Sequence, residues 1–113
     1  MAELRKLPEV DASEAWARIA QDGALVLDVR EPDEWDAGRI AGALHMPLGE
    51  LAVRQAELPR DRPVVVVCRS GGRSAVATEA LIGIGLAASN LEGGMKAWQQ
   101  SGYDLDPPDG HVA

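Results

Sequence analysis

Phenylalanine is absent from this chain, and aromatic residues make up only 4% of it. The core must therefore be built from aliphatic side chains, with three tryptophans and one tyrosine as its aromatic bulk. Cysteine occurs once, as Cys68, which excludes an intramolecular disulfide. Structural zinc needs several Cys or His ligands. One cysteine and two distant histidines, His45 and His111, do not supply them, so no metal is expected. Basic residues are scarce: 11 Lys and Arg face 18 Asp and Glu, for a net charge of −7. Such a chain is a poor partner for nucleic acid or an anionic membrane. No apolar run approaches the roughly 20 residues of a membrane span. The stretch before Pro8 lacks the apolar centre of a secretory leader. A cytoplasmic, reducing location is expected, where a lone thiol stays free. That thiol is then either core filler or a reactive group.

What is present suits one domain. The 113 residues are 46% hydrophobic and 26% charged, an ordinary globular balance. A single domain is expected over 1–113, with its core at about 8–103 and a flexible tail over 104–113. The tail reading comes from Asp106-Pro107-Pro108-Asp109-Gly110. Asp11 with Glu14 three residues on resembles a capping box, and Ala12, Ala15, Trp16, Ile19 and Ala20 follow at helical spacing. Ala24 to Val29 is an apolar run suited to a strand covered on both faces. Glu31-Pro32 opens a short helix ending near Gly38. Ala43 to Met46 is a weak strand, and Glu50 to Leu58 a modest helix. Val64 to Val67 is the strongest strand, β-branched throughout. A helix carrying Ala77, Leu81 and Ile84 follows, then a strand over Ala88 to Leu91 and a helix over Met95 to Gln100. Strands alternating with helices predict an α/β domain with a mostly parallel central sheet.

The chemistry concentrates in Val67-Cys68-Arg69-Ser70-Gly71-Gly72-Arg73-Ser74. A cysteine ends a buried strand, a glycine-bearing loop follows, and a helix begins. Ligands of open α/β sheets bind at such strand ends. Successive backbone N–H groups and the helix N-terminus put positive potential at the thiol. Arg69 and Arg73 add full charges nearby. All of these favour thiolate over thiol. Gly71 and Gly72 give the backbone freedom to approach a ligand closely. A local positive site can thus hold an anion on an acidic chain.

The segment resembles the active-site loop of rhodanese domains. Leu27-Asp28-Val29-Arg30, Glu34-Trp35, Gly38-Arg39-Ile40, Gly42-Ala43 and Pro47 resemble that family's first signature. Gly93-Gly94-Met95-Lys96-Ala97-Trp98 resembles its C-terminal one. The likeness spans roughly Pro8 to Tyr103. The chain departs from the family's usual pattern at Arg39, where His is common, and at Trp35, where Tyr or Phe is.

The resemblance implies a small three-layer domain with a five-stranded, mostly parallel sheet. It also implies a sulfurtransferase that needs no cofactor. Cys68 would be the nucleophile, taking a sulfane sulfur from thiosulfate or a persulfide donor and passing it to cyanide, a thiol, or a sulfur-relay protein. Arg69, Ser70, Gly71, Gly72, Arg73 and Ser74 would cradle the persulfide or leaving anion, with Arg69 and Arg73 orienting the donor. Asp28 and Arg30 are candidates for supporting the loop, or form a structural ion pair with Glu34 or a helix terminus. Trp35 and Trp98 are expected as core anchors, and His45 as a packing residue.

Two alternative functions compete. Cysteine-dependent phosphatases and arsenate reductases also hold a thiolate in an anion-binding loop, with Cys-x5-Arg spacing. Here only four residues separate Cys68 from Arg73, a cradle one residue short and better fitted to a single sulfur atom. A non-catalytic interaction module is the other; rhodanese-like domains of that kind lack the cysteine that this chain keeps. A dedicated sulfur carrier for cofactor or tRNA thiolation would use the same chemistry as the enzyme.

Overall fold

A computed structural model of the chain describes residues 7–113. Five parallel strands form one sheet in the order β1-β5-β4-β2-β3. They are β1 (Glu9–Val10), β2 (Leu25–Asp28), β3 (Leu44–His45), β4 (Val64–Val67) and β5 (Ala88–Leu91). Five helices accompany them: α1 (Ala12–Asp22), α2 (Pro32–Ala37), α3 (Leu51–Arg54), α4 (Gly72–Gly83) and α5 (Gly94–Gln100). The expected α/β class and five-stranded sheet are therefore both observed. The two-residue β1 had no sequence signal, because its strand character comes only from pairing with β5.

Local signals fixed most boundaries. The Asp11 side chain accepts from the Glu14 amide at 2.8 Å and caps α1. Glu31 and Glu34 form a reciprocal capping box that starts α2 at Pro32. The modest helix expected over Glu50 to Leu58 is a single α-turn flanked by 3-10 turns.

β4 lies in the middle of the sheet, and all four of its valines are buried. Their alternation builds two cores. Val65 and Val67 join Ala15 of α1 and Trp98 of α5 on one face, while Val64, Val66 and Cys68 join Leu51 of α3 and Leu81 of α4 on the other. Burying one such side chain contributes about 2 kcal/mol, which is why a continuous apolar run can hold a strand covered on both sides.

Two segments differ from what the sequence pattern suggests. Trp16 stands at helical spacing but is 48% exposed and stacks on Tyr103, at the rim of the α1–α5 layer. The segment expected to be a flexible tail folds back. Leu105 is buried, Asp106 exchanges backbone hydrogen bonds with Arg39, and the His111 amide donates to the Ala37 carbonyl at 2.9 Å. Gly110 donates to Pro107, so the Pro-Pro-Asp-Gly run is a turn that brings Val112 onto the core. Glycine makes the close passage possible: a Cβ on Gly38 would lie 2.8 Å from the His111 carbonyl. Composition suggested fraying, but buried Leu105 and these backbone pairs hold the segment down.

Candidate active site

Cys68 follows the last residue of β4, beside the end of β2, where the Val29 amide donates to the Val67 carbonyl at 3.0 Å. Its sulfur is buried under the loop that leads into α4. Gly71 sits at the helix N-cap with φ of 109°, a conformation that favours glycine. This turn aims the Gly71 amide at Cys68 Sγ, 3.1 Å away. The Ser74 hydroxyl, one helical turn on, lies 3.2 Å from the same sulfur. Burial pushes the Cys68 thiol up, but the Ser74 hydroxyl and the amides of Ser74, Gly71 and Ser70 outweigh it and hold the thiol below its ordinary value. Gly72, read with Gly71 as conformationally special, is an ordinary first residue of α4 with open space where a Cβ would go.

The amides point inward because the carbonyls are held outward. Met95 at the start of α5 donates to the Cys68 carbonyl at 2.8 Å, and Lys96 donates to the Arg69 carbonyl at 3.0 Å. The Gly93-Gly94 turn thus clamps the loop from behind.

The two loop arginines are both engaged away from the sulfur. Arg73 forms a two-pronged bond with Glu34 of α2, at 2.7 and 2.8 Å. Arg69 is exposed and donates to the Ala113 carbonyl at 2.9 Å. Arg73 still acts on the thiol as a positive charge, but neither side chain is aimed at the sulfur.

Asp28 and Arg30 are fully buried and pair with each other, at 2.8 Å. Arg30 also donates to the Glu34 and Gly38 carbonyls, at 3.2 and 2.8 Å. The guanidinium therefore reaches Glu34 through its backbone, not its carboxylate. It fixes α2 against β2, and α2 in turn presents the Glu34 carboxylate to Arg73. Trp35 is half-buried, stacked on His45 at 4.6 Å and in contact with the Arg39 guanidinium, 4.8 Å from the ring centre. Arg39 thus has a defined place against Trp35. His45 Nε2 meets the Arg30 carbonyl at 2.7 Å. Trp98 is buried, as expected of an anchor.

One central residue was missed. Asn90 of β5 is 1% exposed and bridges Ser74, the Gly71 carbonyl and Glu9. A polar pair, Ser89-Asn90, inside a strand with buried neighbours was the available signal.

The Arg73 hydrogen bonds hold the Glu34 carboxyl at about 2, down from 4.5, against the opposing effect of its partial burial, with the Glu31 amide helping. A depressed carboxyl stabilises the fold above its unfolded value and loses that effect as pH falls towards the folded one. Glu34→Gln is therefore expected to cost about 1 kcal/mol near neutral pH, a modest figure for a pair partly open to solvent. The gap between variant and parent should close as pH falls from 4.5 towards 2. Urea midpoints across that range check this; a gap independent of pH would contradict it.

Among the described residues no His, Cys, Asp and Glu cluster could hold a metal ion, and no helix is long and apolar enough to cross a membrane.

Known proteins resemble this chain over most of its length. Residues 11–101 match the rhodanese-like domain family. A sulfurtransferase of Allochromatium vinosum is 38% identical over 104 residues, covering 90% of this chain and 97% of that protein. The thiosulfate sulfurtransferase GlpE of Pseudomonas putida is 34% identical over 115 residues, 99% of each chain. The crystal structure of a rhodanese-related protein from Thermoplasma volcanium superposes with a TM-score of 0.82 at 37% identity, covering 87% of this chain and 96% of that one. With a cysteine at the end of the central strand, under a loop of inward-facing amides, the chain belongs to the rhodanese-like sulfurtransferase family.

Proposed function

We propose that this protein moves a sulfane sulfur from thiosulfate or a persulfide donor to cyanide or a thiol acceptor, through a persulfide on Cys68. The observation that carries this reading is the convergence of the Gly71 amide and the Ser74 hydroxyl on Cys68 Sγ. The thiolate attacks the outer sulfur of the donor. A new S–S bond forms to Cys68, and the donor's S–S bond breaks. Sulfite leaves with the electron pair when thiosulfate is the donor. The outer persulfide sulfur takes up the negative charge beside the loop amides, which are fixed beforehand and need no reorganisation. An acceptor thiolate or cyanide then attacks that sulfur, and Cys68 leaves as the thiolate. The loop's positive potential draws an anionic donor to an acidic chain. Arg69, the more exposed of the two arginines, is the side chain we assign to meeting the donor, by giving up its bond to Ala113. The chemistry uses a reduced thiol, which fits a cytoplasmic setting.

Intact-mass measurement tests the reading. Reduced protein incubated with thiosulfate is expected to gain one sulfur atom, to lose it on adding cyanide, and to gain nothing as Cys68→Ser. No gain in the parent protein sinks the proposal. Hydrolysis of an aryl phosphate that disappears in Cys68→Ser would favour a phosphatase instead.

A further inference from the structure

The hydrogen-bond chain behind Cys68 contains fewer protons than it has demands. Asn90 Nδ2 donates to Glu9 Oε2 and to the Gly71 carbonyl, both at 3.1 Å. These partners are acceptors, so the amide orientation is fixed and Oδ1 faces Ser74. Ser74 Oγ lies 2.5 Å from Asn90 Oδ1 and 3.2 Å from Cys68 Sγ. A hydroxyl has one proton to give, and an amide oxygen has none. The 2.5 Å contact is a hydrogen bond only while Ser74 points its proton at Asn90. A thiol tolerates this, because it donates its own proton to Ser74 Oγ. A thiolate can only accept.

We propose, on the reading that Cys68 is the sulfur-carrying nucleophile, that Asn90 is a positioning residue which competes with Cys68 for the Ser74 hydroxyl proton. With Cys68 as a thiol the hydroxyl points to Asn90. When the thiol ionises its proton leaves to water, and the Ser74 hydroxyl turns to the sulfur without leaving its own oxygen. Ionisation thus costs the Ser74–Asn90 bond. In the persulfide the negative charge lies on the outer sulfur, Cys68 Sγ no longer needs the proton, and Ser74 returns to Asn90. The competition keeps the thiolate more basic, and so more nucleophilic, than the loop amides and an uncontested Ser74 hydroxyl would leave it. It also favours the loaded state over the empty thiolate.

Other charges surround the sulfur. Arg73 acts on Cys68 directly and is paired with Glu34. Glu9 of β1 is held through Asn90, and the Asp28–Arg30 pair lies at the end of β2. Arg69 in the loop and Lys96 of α5 lie on the peptide hydrogen bond behind it. Of these only Glu9 loses a bond when Asn90 is changed, and it loses it with or without Ser74, so comparing the two backgrounds isolates the competition.

The test is the pH dependence of Cys68 alkylation by iodoacetamide, which reads the thiolate whether or not thiosulfate is a donor. Asn90→Ala is expected to move the midpoint down by about 0.5–1 pH unit, the equivalent of one neutral hydrogen bond. Ser74→Ala should move it up. In the Ser74→Ala background, Asn90→Ala should add no shift. No shift, an upward one, or the same shift with and without Ser74 would overturn the proposal, since the last two are what simple loosening of the loop produces. Should Asn90→Ala fail to fold, Asn90→Ser, too short to reach Ser74, is judged by the same outcomes.

Discussion

Arg30→Ala is expected to lose roughly 3–5 kcal/mol of stability, the cost of leaving a buried charge without its partner. Asp28 is fully buried, and three of its hydrogen bonds come from the Arg30 guanidinium. After truncation its carboxylate would keep only the Arg30 backbone amide, at 3.1 Å. The Glu34 and Gly38 carbonyls would lose their donor as well. In a domain of this size the melting temperature should fall by on the order of 15 °C. Arg30→Lys keeps the charge but not the planar fork, and should recover part of the loss. The paired change Asp28→Leu with Arg30→Met removes both charges and should be less damaging than Arg30→Ala alone. Urea denaturation of the set checks this ranking. A loss below about 1 kcal/mol for Arg30→Ala would mean that the pair is a surface-like contact.

Gly94→Ala should be the most damaging glycine substitution for activity. Its φ is +60°, and an added Cβ would press on the Cys68 carbonyl oxygen and lie 2.7 Å from the carbonyl carbon and oxygen of Arg69. These are backbone atoms of the loop that carries Cys68, and they cannot step aside without turning the loop amides off the sulfur. Left-handed strain and overpacking together should cost roughly 2–4 kcal/mol. Loss of an aligned amide donor should slow sulfur transfer on the order of a hundredfold. Gly72→Ala is the matched control. It opens α4 just after the Cys68 loop, with no left-handed φ and open space at its Cβ. It should leave stability unchanged or raise it by up to about 1 kcal/mol. Comparing thiosulfate turnover and melting of the two variants tests the clamp. Equal behaviour would refute it.

The features legible in the sequence were those encoded locally. Val64 to Val67 declares a buried strand by composition alone, and Cys68 with the following glycines declares a turn into a helix. The Asp11 cap and the Glu31-Pro32 start are likewise spelled out within a few residues. What escaped is held together across the chain. β1 exists through its register with β5. Arg73 finds Glu34, 39 residues away, and Asn90 reaches both Glu9 and the loop. Adjacency in sequence put the arginines next to the cysteine and suggested that they face its substrate; the folded backbone turned them towards other partners. The tail was misread because its prolines and glycine look the same in a fraying end and in a turn that docks.

The alternation along β4 has a consequence for how this scaffold can vary. Cys68 shares its side of the sheet with Val64 and Val66, not with Val65 and Val67. The side on which the sulfur lies is therefore governed by parity. Inserting or deleting a single residue within β4 would deliver the sulfur to the opposite layer, among Met95 and Trp98 and away from Ser74. A change of two would restore the side, though not the depth. Length can drift freely in the polar loop before Pro63, whereas between Val64 and Cys68 the chain must count in whole pleats.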